Sequence, residues 1–249
     1  MRYFVELSYK GTLYCGWQRQ PNAPSVQETI EKALSTILNT LTSIMGCGRT
    51  DTGVHARQFY MHFDHEGDLP KSFQNRLNKF LPTDIAIHRI FEVDAEAHTR
   101  FDAFYRAYEY HILFDKNPFH KETAYYYPTG KKLDINKLNE AAALLLNYEE
   151  FFPFCKSESS ANTMFCEMKV ARWEVVVDKG LVFHIAANRF LRGMVRLIVG
   201  MCLNVALGKV SIEEVDTSLK NQTRLDKSYS VPAEGLYLTE IKYPKEIMS

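Results

Sequence analysis

Asp51 stands in the run Gly46-Cys47-Gly48-Arg49-Thr50-Asp51-Thr52-Gly53-Val54-His55-Ala56, between two glycines and two residues after Arg49. The apolar run 41–45 leads in, and a strand-like run, 58–63, leads out. Glycine tolerates backbone angles and close approaches that other residues resist. The pattern predicts a tight turn between two strands, with the carboxylate facing a cleft. A carboxylate there can act as a nucleophile or a base. An aspartate that bonds its own turn backbone satisfies the same pattern. Arg196 lies among Met194, Val195, Leu197 and Ile198, where an unpaired charge is costly. It needs an acid, and Asp51 is the best candidate. Arg192 lies four residues earlier, on the same face of an expected helix.

Two further stretches carry chemistry-bearing side chains. The segment 10–21 is a loop holding Tyr14, Trp17 and Arg19 between glycines. Aromatic and basic residues interleaved on a loop suit contact with bases and phosphates. A Trp17 folded back onto the core is the alternative. Farther on, Phe104, Arg106, Tyr108, Tyr110, Ile112 and Phe114 alternate on one face of a strand. Period alone assigns such a ladder to the core.

These residues need elements to hold them. Arg2 to Tyr9 reads as a strand. Ser25 and Glu28 form a capping box for a helix reaching Asn39, with Val26, Ile30, Ala33, Leu34, Ile37 and Leu38 on one face. A helix over 71–80 and a strand over 85–93 follow. The resulting strand, helix, strand, strand, helix, strand order predicts a ferredoxin-like half. A helix over 133–147 carries the unbroken apolar run 141–146, which predicts deep burial. Residues 157–163 read as a mobile loop. A hairpin runs from 167–177 through Lys179-Gly180 to 181–187. A helix fed by 188–193 continues to Leu207 and stops at Gly208. Ser211 caps one more short helix, and a final strand follows Leu236.

Composition limits the function classes. The chain has 249 residues, 46% hydrophobic, with 30 basic and 30 acidic side chains. Zero net charge gives no global sign of a nucleic-acid binder, so any RNA site must be a local basic patch. Five cysteines without C-x-x-C spacing suggest neither a zinc site nor a disulfide framework. No signal peptide or membrane-length apolar run is visible, and a reducing cytoplasm fits best.

The run Gly-Arg-Thr-Asp-x-Gly-Val-His-Ala around Asp51 resembles the signature of the tRNA pseudouridine synthase A family. Tyr14-Cys15-Gly16-Trp17-Gln18-Arg19-Gln20 is similar to a second family segment. Arg106-Ala107-Tyr108-Glu109-Tyr110 is similar to a third. Phe190-Leu191 with Met194-Val195-Arg196 and Gly200, and Ala233-Glu234-Gly235-Leu236-Tyr237-Leu238, complete a resemblance that spans Tyr9 to Leu238. The resemblance implies an α+β pseudouridine synthase fold. Two ferredoxin-like halves, 1–103 and 104–249, would be joined by a continuous, mainly antiparallel sheet with helices packed on it. The active site would lie in the cleft between them.

The resemblance also implies the roles. Asp51 is the catalytic acid, Tyr108 stacks on the base and handles a proton, and Arg196 pairs with Asp51. Leu236 packs near the target base. Arg49, Tyr14, Trp17, Arg19, Arg106 and Arg192 fall to substrate binding. The partner is tRNA, modified at uridines of the anticodon stem-loop, and the enzyme is a homodimer. It needs no cofactor, no metal and no membrane. This chain departs from the pattern at Thr52, Glu109, Glu150 and Pro153, and in 163–166, where a family arginine is missing. Asp51-Thr52-Gly53 is also the aspartic-protease triplet, which would require a homodimer sharing a proton between two aspartates. A non-catalytic RNA-binding module is the third reading.

Overall fold

The computed structural model describes residues 1–156, 163–176 and 180–248. The loop expected at 157–163 and the hairpin tip near Lys179 therefore fall mostly outside the described residues. Among the described residues nine strands form: β1 (Arg2–Tyr9), β2 (Met45–Gly46), β3 (His55–Asp64), β4 (Ile85–Val93), β5 (Tyr105–Leu113), β6 (Tyr125–Tyr126), β7 (Met168–Val176), β8 (Gly180–Ala187) and β9 (Leu236–Lys242). Six α-helices accompany them: α1 (Val26–Leu38), α2 (Phe73–Phe80), α3 (Ile135–Leu144), α4 (Met194–Ala206), α5 (Ile212–Asn221) and α6 (Lys245–Met248). The architecture is α+β, as the sequence pattern predicts. Among the described residues no helix is long and apolar enough to cross a membrane.

The chain divides into two compact units, Met1–Tyr105 with Tyr237–Ser249, and Arg106–Leu236. In the first unit β1 pairs antiparallel with both β3 and β4, and β2 pairs antiparallel with β3. That is the strand order 4-1-3-2 of a ferredoxin-like half. β9 adds one parallel contact to the start of β3, His55 opposite Tyr237 and Ala56 opposite Leu238. The strands alternate, so Val5, Leu7, Phe59, Met61 and Phe63 point inward and are buried. The apolar stripe of α1, Val26, Ile30, Ala33 and Leu34, is buried as well. Ser25 caps that helix by accepting the Glu28 N–H, while the Glu28 carboxylate pairs with Lys32 one turn on.

In the second unit β8 lies between β5 and β7, antiparallel to both, and β6 runs parallel to β5. With the two-residue β6 set aside, the order strand, helix, strand, strand, helix repeats that of the first unit. Helices α3 and α4 pack against one another, and α3 also packs on β7. The run 141–146 is not uniformly deep. Ala141, Ala142 and Leu145 are buried, whereas Ala143 and Leu146 are exposed. A helix turns a contiguous apolar run through its whole circumference, so part of it faces out. α5 carries the reciprocal Ser211–Glu214 capping box.

Candidate active site

Asp51 lies in the link between β2 and β3, where the Val54 N–H donates to the Asp51 carbonyl at 3.1 Å to close a tight turn. The turn rests on a bed made by the end of β1 and the loop after it. The Tyr9 and Thr50 hydroxyls share a buried 2.9 Å hydrogen bond. The Trp17 N–H donates to the Thr50 carbonyl at 3.2 Å, and the Gly53 N–H to the Tyr14 carbonyl at 3.4 Å. The Gly11 N–H donates to His55 Nδ1 at 3.0 Å, so that nitrogen carries no proton there. Two glycines make this closeness possible. A Cβ on Gly11 would lie 2.0 Å from the Val54 carbonyl oxygen, and one on Gly16 2.4 Å from that of Thr50. Asp51 itself is half-buried, between buried Thr50 and exposed Thr52. The backbone at Asp51 is thus fixed from both sides.

The aromatic residues of the 10–21 loop serve this bed. Trp17 is only 1% exposed. Its indole stacks on Phe59 at 4.1 Å and covers Gly46, where a Cβ would meet the ring at 2.6 Å. Tyr14 is buried too, and its hydroxyl donates to Asp84 at 2.7 Å. Burial, with help from Asp84, pushes the Tyr14 hydroxyl well above its ordinary pKa. Both rings are thus packed, and Trp17 takes the folded-back placement that the sequence left open. Truncating such a buried aromatic costs about 3–5 kcal/mol. Arg19 remains exposed, 3.7 Å from Glu31. Arg49 is exposed beside the turn.

In the second unit Tyr108 is half-buried on β5, opposite Ile185 of β8. Phe190 meets its ring edge-on at 5.1 Å. Two residues on, Tyr110 is fully buried and donates to the Pro232 carbonyl at 2.8 Å. Burial, then Glu234, raises its pKa so far that it stays a hydrogen-bond donor. Arg106 donates from Nη1 to the Asn188 carbonyl at 2.8 Å. Arg196 sits in the first turn of α4 and donates from Nε to the Val231 carbonyl at 2.7 Å. Arg192 is exposed and precedes the helix. Gly193, at φ 70°, is the N-cap, so α4 starts later than expected and the two arginines do not share a helical face. Leu236 is buried where β9 begins.

A pinned aspartate on one unit, with a tyrosine and a helix-terminal arginine on the other, invites comparison with known proteins. Residues 142–244 match a family model described as tRNA pseudouridine synthase. A protein named tRNA pseudouridine synthase A from Porphyromonas gingivalis is 44% identical over 99% of this chain and 98% of its own length. One of the same name from Bacteroides fragilis is 43% identical over 99% and 98%. One from Bacteroides thetaiotaomicron is 42% identical over 100% and 93%. The chain belongs to the tRNA pseudouridine synthase A family.

Within a tRNA pseudouridine synthase A chain, the signature around Asp51 gains a physical reading. Sequence alone singled out the acid and its glycines but not His55, which is buried against the Tyr237 ring at 4.7 Å and accepts from Gly11. The histidine of the Val54-His55-Ala56 run thus joins three segments of the first unit, the loop after β1, β3 and β9. Tyr9 was also missed, because its partner Thr50 lies 41 positions away. An aromatic ending a strand before a glycine loop is the only trace it leaves in the sequence.

Proposed function

We propose that this chain isomerises uridine to pseudouridine in the anticodon stem-loop of tRNA. The observation that supports it is the immobilised Asp51 turn, in a chain similar over its full length to proteins of that name. The reaction breaks the bond from C1′ to N1 and makes one from C1′ to C5. The C5 proton leaves and N1 gains one. No atom or electron is gained overall, so neither a cofactor nor a metal is required. Asp51 acts as the nucleophile or base at the sugar. Arg196 is assigned the role that the family resemblance gives it, that of partner to the Asp51 carboxylate. Tyr108 offers a face for stacking and a hydroxyl for the C5 proton. Leu236 packs against the target base. Arg49, Arg106, Arg192 and Arg19 are assigned to the phosphates, and the working form is a cytoplasmic homodimer.

The test is Asp51→Asn, which keeps the shape of the turn and removes the charge. Tritium release from C5-labelled uridine should fall below detection. Binding of tRNA rests on phosphate contacts and stacking and should change little. Full turnover by this variant would remove Asp51 from the mechanism. A parent protein that binds tRNA without ever releasing tritium would leave only an RNA-binding module.

A further inference from the structure

Leu13 is 72% exposed, yet its backbone belongs to the bed of the Asp51 turn. It ends the 3-10 turn Gly11–Leu13. Two residues before it, Gly11 is buried, donates to His55 and lies against the Val54 carbonyl. One residue after it, Tyr14 is buried and returns its N–H to the Gly11 carbonyl at 3.0 Å. The Tyr14 carbonyl accepts from Gly53, two residues past Asp51, and its hydroxyl is tied to Asp84. Leu13 is therefore carried on fixed backbone directly beside the reactive turn, and its isobutyl group is left in water. A lone exposed leucine on a mobile loop is ordinary. Leu13 differs in standing on backbone that is hydrogen-bonded, through Gly11 and Tyr14, to the turn that carries Asp51.

We propose that Leu13 is a stacking wedge for the target nucleotide. This rests on the tRNA reading above. A uridine inside a stem must leave its stack and its pair to reach a protein carboxylate. The step leaves an apolar gap between the two neighbouring bases. Apolar side chains inserted between base steps fill such gaps and hold the nucleic acid open. Leu13 moves with the same rigid bed as Asp51, so filling the gap and presenting the carboxylate are one event. The wedge matters most where unstacking is hardest, at a uridine paired within the stem. It matters least where the base is already loose.

The experiment uses the full chain and two stem-loop RNAs of one sequence. In one the labelled target uridine is paired with adenine, and in the other it faces a mismatch. Single-turnover tritium release is followed for the parent, Leu13→Ala and Leu13→Met. Leu13→Ala should slow the paired RNA about tenfold, the scale of a few buried methylene groups lost, and the mismatched RNA by less than about twofold. Leu13→Met should hold the parent rate on both, because it keeps the apolar volume. Equal losses on both RNAs would mean damage to the turn and overturn the wedge, as would no loss on either. A parent that forms no pseudouridine on either RNA would overturn the functional reading and the wedge with it.

Discussion

His62 shows how a buried side chain makes the stability of the fold depend on pH. It sits on β3 and shares a 2.8 Å hydrogen bond with the Thr99 hydroxyl, and its Nδ1 accepts the Thr99 N–H at 3.3 Å. Burial, then the positive charge of Arg2, pushes its pKa from 6.5 down to about 4. The folded state thus favours the neutral ring. That contribution is fully present above pH 6.5 and is lost as pH falls towards 4, where the folded ring itself takes up a proton. The loss is on the order of 3 kcal/mol. Urea midpoints measured across that window should fall steeply for the parent and less steeply for His62→Asn, whose side chain does not titrate. Parallel slopes for the two proteins would show that His62 is not responsible. None of this was legible in the sequence. A histidine in an alternating strand can point to either side until its partner, 37 positions away, is known.

At the scale of elements, local signals were faithful and distant ones were silent. β1 and β4 begin and end where alternation and the turn residues place them. The caps at Ser25 and Ser211 were readable because a cap and the N–H that it accepts from lie within one turn. The placement of Trp17 was not, since an aromatic beside glycines suits a ligand and a core equally well. The return of β9 to β3 was hidden as well, because His55 and Tyr237 are far apart in the chain. The Asp51 turn was found from its glycines, but its support comes from another element. That support gives the next prediction. Gly11→Ala would place a methyl 2.0 Å from the Val54 carbonyl oxygen. The contact is backbone, so the loop after β1 and the Asp51 turn must separate. A shift of about 1 Å at a reacting group can cost roughly a hundredfold in rate. Gly11→Ala should lower kcat by that order, with a much smaller change in tRNA affinity. A variant that turns over at the parent rate would show that the bed does not position Asp51.

At the scale of the whole molecule the question is how a neutral chain holds a polyanion. The 30 basic and 30 acidic residues cancel. Several cations are also matched locally, as in Lys131 with Asp115, Arg172 with Glu174 and Lys220 with Asp216. Each such exposed pair adds little stability. Each also lowers the positive potential offered to phosphate. Arg49 and Arg192 remain at the surface, one in each unit. The grip of such surface cations is salt-sensitive, since affinity grows with the number of phosphates neutralised. Two copies acting on one tRNA double that number without any change in net charge. The expected state is therefore a homodimer at micromolar concentration, and sedimentation with and without tRNA measures it. The logarithm of tRNA affinity should fall with the logarithm of salt, and charge removal at Arg49 or Arg192 should flatten that slope. A chain that sediments as a monomer and turns over at its full rate would show that one copy is sufficient, and the composite surface would then have no role.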